Sequence, residues 1–170
     1  MNRTLARFFS VVGHPLLMLT YSLLLLLTLN PYAFSVRSLT DKPAMLLLIS
    51  VFTTSFVLPG FGVALLKPLG LVKSLALADK QERIGPYILS GVFYLWLYKN
   101  LASGGQTPAL YTTFVLGATI GLFFAFFVNI FTKISAHAVG MGGLIAMLLM
   151  TGSVWGDTVF NIPMFGGAVQ

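Results

Sequence analysis

No charged residue stands between Arg7 and Arg37, a stretch of 29 residues, and the pattern recurs along the chain. Further charge-free runs cover 43–66 (24 residues), 84–98 (15), 100–132 (33) and 134–156 (23). About 20 apolar residues in a helix cross the hydrocarbon core of a bilayer. Four of the runs reach that length, and the fifth extends through Lys99 to Ala102 if the lysine stem lies along the helix with its ammonium in the headgroups. Of the 170 residues only 8% are charged and 57% are hydrophobic, with mean hydropathy +0.92. A soluble domain carries roughly 25% charged residues to solvate its outer face. A soluble enzyme, a disordered tail and a nucleic-acid module are therefore excluded. The net charge of +6 reads as basic residues flanking membrane helices and meeting anionic headgroups, without nucleic acid as a partner.

The expected fold is all-α: one integral membrane domain over 1–170, a polytopic bundle of five spanning helices plus a partial sixth. The helices are placed at about 15–34, 44–66, 86–102, 109–131 and 136–154, and the partial sixth at 158–170, which is too short to span and contains Pro163. The basic start with Arg3 and Arg7 precedes an apolar stretch too long for a cleaved signal, so it reads as a retained first helix. Gly117 and Gly121, and Ala138, Gly142 and Ala146, carry the small-residue spacing that lets membrane helices approach. Pro59-Gly60 should kink the second segment or open a local gap.

Two polar clusters break the apolar pattern. One is Asp79-Lys80-Gln81-Glu82-Arg83-Ile84-Gly85-Pro86, before the third helix. The other is Thr132-Lys133-Ile134-Ser135-Ala136-His137-Ala138-Val139-Gly140, entering the fifth. If the third and fourth segments both span, the two clusters share one membrane face. Together they offer Lys80, Arg83, Lys133, Ser135 and His137, a set suited to an anion such as phosphate. Arg presents a planar fork to phosphate oxygens and Lys a point charge. Ser135 is placed to cap the fifth helix, whose first N–H groups would face the bound anion. Asp79 and Glu82 would orient or pair with Lys80 and Arg83. The alternative for the first cluster is a solvated, positive-inside loop, and for His137 an interfacial ring satisfied by a backbone carbonyl. His14, just before Pro15, reads as an interfacial anchor. Without cysteine there is no disulfide, thiolate metal site or Cys nucleophile. No metal or other cofactor is expected.

Ser135-Ala136-His137-Ala138-Val139-Gly140 resembles the Ser-Gly-His-Ala motif of the type-2 phosphatidic acid phosphatases, the lipid phosphate phosphatases. Lys80, Arg83, Ile84, Gly85 and Pro86 resemble a worn form of that family's Lys-x6-Arg-Pro motif. The likeness covers about residues 67–155. It implies a membrane-helix bundle that hydrolyses a lipid phosphate or polyprenyl pyrophosphate without a metal. Lys80, Arg83 and Ser135 would hold phosphate, and His137 would protonate the leaving alcohol as the catalytic acid.

The chain also departs from that pattern. Two residues separate Lys80 from Arg83 where the family has six, and Lys73 leaves nine. The central glycine of the second motif is Ala136, and its preceding proline is Ile134. The third motif, which carries the nucleophilic histidine and its aspartate, is missing: no histidine or arginine follows His137, and Asp157 stands alone. A nucleophile would have to come from His14 folding back or from chain beyond Gln170. The rival expectation is a non-catalytic membrane subunit or scaffold that keeps the phosphatase-like fold. Expected partners are membrane lipids, a lipid phosphate, another membrane protein or a second copy. The expected location is the bacterial inner membrane. With the N-terminus inside, inner segments carry seven basic residues and outer segments three. Without Lys80, Arg83 and Lys133 the inner count falls to four, so orientation stays open.

Overall fold

In the computed structural model residues 12–72, 79–156, 160–162 and 167–169 are described, the last two groups as backbone alone. Lys73 lies outside them.

Helices occupy all five expected places. A 3₁₀ turn at Pro15–Leu17 leads into α1 (Met18–Leu29). Asn30 then caps a second 3₁₀ turn, Pro31–Phe34, by accepting from the Ala33 amide. The expected 15–34 helix is therefore shorter, because Pro31 lacks the N–H that would continue it. α2 runs Lys42–Leu66. α3 is Ile84–Gly104 after a 3₁₀ turn at Gln81–Arg83, and it ends where Gly105 turns left-handed at φ +66°. α4 is Ala109–Phe131 and α5 is Ala136–Trp155.

Three of these helices, α2, α4 and α5, are long and apolar enough to cross a bilayer. The chain is a membrane protein on that ground. Pro15–Leu29 is apolar but short. α3 has 21 residues, but Tyr87, Ser90, Lys99 and Asn100 dilute its apolar character. The expected partial sixth helix is not helical in its described part. Phe160–Ile162 (β1) pairs antiparallel with Gly167–Val169 (β2), Ile162 opposite Gly167. Residues 157–159, 163–166 and 170 lie outside the described part.

Pro59 does not break α2. The turn before it, Thr53–Val57, widens to π-helical geometry, and the helix resumes over Leu58–Leu66. The proline ring would otherwise press on the carbonyl four residues earlier, at Ser55.

The packed core sits in one half of the bundle. It joins Leu19, Leu23 and Leu26 of α1, Val51 of α2, Leu97 of α3, Val115 of α4 and Met147 of α5. Lipid is as apolar as leucine, so burial here gains close packing and hydrogen bonding more than escape from water. The Tyr111 hydroxyl shows this: fully buried, it donates to the Leu19 carbonyl at 2.9 Å and ties α4 to α1.

Close helix approach uses other glycines than the spacing suggested. Nothing lies within 4 Å of a Cβ added at Gly117, Gly121 or Gly142. Gly91 instead admits the Phe123 ring, 2.8 Å from where its Cβ would be, and Gly62 admits Leu89. Gly140 of α5 lets the Pro15 turn come within 2.9 Å of such a Cβ.

Candidate functional site

The two polar clusters meet at the end of the bundle away from that core. Lys80 Nζ donates to the Ile130 carbonyl at 3.0 Å and the Phe131 carbonyl at 3.4 Å. These belong to the last turn of α4, whose terminal carbonyls have no partner within the helix and form its negative pole. Asn129 Nδ2 donates back to the Lys80 carbonyl at 2.8 Å. Arg83 Nη1 donates to the Ile134 carbonyl at 2.6 Å. Both cations of the first cluster thus grip the backbone leading into the second.

Ser135 begins α5 as expected. Its hydroxyl accepts from the Ala138 amide at 3.3 Å. His137 follows as the second helical residue, at the positive end of the α5 dipole. Lys80, Lys133, Ser135 and His137 are exposed, and Arg83 is half-buried. Behind them Glu82 is buried at 8% exposure. Tyr87 Oη and Asn129 Oδ1 are buried without a hydrogen-bond partner among the described residues. A buried polar atom left so costs about 1–3 kcal/mol.

His14 was placed by sequence as an anchor, and the structure gives it a further contact. Its ring lies 6.1 Å from that of His137, centroid to centroid, edge to face at 71°. Phe56, from the π-helical turn of α2, packs on it at 5.7 Å. His14 Nδ1 accepts from the Leu16 amide at 3.3 Å and so caps the Pro15–Leu17 turn. An accepting Nδ1 puts the proton of the neutral ring on Nε2. Burial pushes the His14 pKa down, and the neighbouring His137 pushes it down further. No spacing rule could have found this pair: its members are 123 residues apart.

The exposed cations, the first turn of α5 and two imidazoles make an end suited to an anion. Among the described residues no three His, Cys, Asp or Glu side chains gather as a metal site would require. A cavity of about 230 Å³ lies at the other end, lined by Phe34, Val36, Asn100 and Gln106 among others.

Comparison with protein-family models, with curated proteins and with solved structures finds no match to this chain.

Proposed function

We propose that this is a polytopic membrane protein that engages the phosphate of a lipid headgroup through a phosphatase-like site at the cationic end. Arg83, Lys80, Lys133 and Ser135 bind the phosphate oxygens, and His137 stands by the bridging oxygen. The observation that carries the reading is the Arg83–Ile134 bond, which brings the basic cluster to the backbone three residues ahead of His137. Charge-assisted bonds from Arg and Lys to phosphate are about twice as strong as neutral ones, and headgroup depth keeps water from screening them fully. On this reading all five helices cross the membrane, α1 and α3 with polar ends in the headgroup layer, and the membrane is a bacterial inner membrane.

In a hydrolytic version, the phosphorus–oxygen bond to the lipid breaks as an imidazole nitrogen attacks phosphorus. His137 gives its proton to the departing alkoxide, and water later releases the phosphate. His14 is the second imidazole at hand. Its Nδ1 is occupied by the Leu16 amide and its Nε2 holds the proton, so it has no free lone pair for attack in this state. That observation favours a second reading, a membrane subunit that keeps the anion site without turning lipid over. The hydrogen bonds that hold Lys80 and Arg83 to carbonyls favour it as well.

The test uses purified protein in nanodiscs with phosphatidate or a polyprenyl pyrophosphate. Phosphate release that is lost in Arg83→Ala and His137→Ala supports the enzyme. Saturable binding of these lipids without release, weakened by Arg83→Ala, supports the subunit. Binding no tighter than to a zwitterionic lipid overturns both.

A further inference from the structure

The start of α1 is held against the start of α5 by a contact whose chemistry depends on protons. Three features bear on it. The His14 acceptor at Nδ1 caps the Pro15–Leu17 turn through the Leu16 amide. The His14 and His137 rings face each other at 6.1 Å. Pro15 presses on Gly140, where a single added carbon would stand 2.9 Å from the proline Cβ.

We infer that the His14–His137 contact is a pH-responsive latch, which docks the N-terminal turn on α5 while His14 is neutral and releases it when His14 takes up a proton. The inference concerns the free protein and does not rest on the lipid-phosphate reading.

Protonation of His14 acts against docking in three ways. It converts Nδ1 from acceptor to donor, so two N–H groups oppose each other where the cap bond was. It places a cation opposite a second imidazole. It adds positive charge beside the N-terminus of α5, where the helix dipole already opposes it. The rings in contact with His14 carry no carboxylate; the acids of this end are Glu82, buried behind the cationic cluster, and Asp79, exposed beside Lys80. α5 contributes His137. The π-helical turn of α2 contributes Phe56, flanked by the uncharged Thr53, Thr54, Ser55 and Val57. α1 contributes Tyr21, whose hydroxyl donates to the Val12 carbonyl at 2.9 Å. Arg83 is engaged on the Ile134 carbonyl, three residues ahead of His137 in the chain.

The sign follows from linkage. Undocked, the imidazole has its ordinary pKa of 6.5; docked, it is lowered by burial first and by His137 second. The undocked turn therefore binds more protons. The contribution of this contact to docking is therefore fully present above the ordinary value and is lost as pH falls through the docked one.

The chain has no cysteine and two histidines, so both probes are clean. Spin labels on Val12→Cys and Met141→Cys, both at exposed positions, report the distance across the contact in nanodiscs. We expect a short, narrow distribution at pH 8 that lengthens and broadens at pH 5. In His14→Gln, which keeps a side-chain acceptor but cannot titrate, the short distance should persist at pH 5. Carbon-13 histidine NMR on wild type and His137→Gln gives an independent readout: the His14 midpoint should rise when His137 is removed. The same distance distribution at both pH values in wild type, or a His14 midpoint that His137→Gln leaves in place, overturns the latch.

Discussion

Asn129 and Lys80 hold each other's segments in place: Asn129 Nδ2 donates to the Lys80 carbonyl at 2.8 Å, and Lys80 Nζ donates to the Ile130 carbonyl one residue past Asn129 at 3.0 Å. The pair closes the end of α4 on the turn that starts α3. Asn129→Leu keeps the volume and strands the Lys80 carbonyl. It should cost about 0.5–1.5 kcal/mol, the net worth of a part-buried hydrogen bond, partly offset because the orphaned Oδ1 goes too. Thermal unfolding in detergent checks it, and an unchanged midpoint would count against the clamp.

Lys80 separates two uses of the same charge. As a cap on α4 it is worth about 0.3–1 kcal/mol at an exposed site. Lys80→Met removes the charge and keeps most of the stem. We expect a small stability loss together with a several-fold loss of phosphatidate affinity. A stability loss with affinity intact would assign the lysine to the helix end alone.

Much of this architecture was legible in the sequence, for reasons that belong to the bilayer. Charge-free runs located the five helices, α4 at its observed bounds and α5 to within a residue, because exclusion of charge from hydrocarbon is a property of single residues. Ser135 was legible as a cap because its partner, Ala138, is local. The two clusters meet, as expected if the third and fourth segments both span. What the sequence withheld depends on which surfaces meet. Gly117 and Gly121 have the spacing of a contact pair and face open space, while Gly62 and Gly91 carry close approaches without that spacing. The approach of His14 to His137 could be raised from sequence only as His14 folding back, because no local pattern fixes it. The described part of the tail, Phe160–Ile162 and Gly167–Val169, is paired strand where the apolar content suggested helix.

The glycines yield a paired prediction. At Gly117 an added methyl meets nothing, so Gly117→Ala should stabilise α4 by about 0.5–1 kcal/mol through reduced backbone freedom. At Gly91 the same methyl meets the Phe123 ring at 2.8 Å, and the ring must move or α3 and α4 must part. Gly91→Ala should therefore destabilise, by about 1–3 kcal/mol if the ring cannot relax. Opposite signs in one unfolding assay would confirm the packing. A stabilising Gly91→Ala would refute it.

Asp41 gives a pH dependence at the other end of the molecule. Its carboxylate accepts from the Arg37 amide at 2.7 Å, the Ser38 amide at 3.3 Å and the Ser38 hydroxyl at 3.1 Å, closing the loop that leads into α2. It also brings negative charge to the N-terminus of that helix. The Arg37 amide bond is the largest reason its pKa falls below the ordinary 3.8; the Ser38 bonds and the Arg37 charge add to it, and burial opposes. A carboxylate with a lowered folded pKa contributes stability that is present above its unfolded value and lost as pH falls through the folded one. The 37–41 loop should thus hold at neutral pH and loosen only in acid below the ordinary aspartate range. Amide proton shifts of Arg37 and Ser38 should report that transition directly, since both amides lose a charged acceptor when Asp41 is protonated. Asp41→Asn should abolish the transition and leave both amides near their acid-side positions at every pH. A wild-type midpoint at or above 3.8 would contradict the hydrogen-bond set seen here.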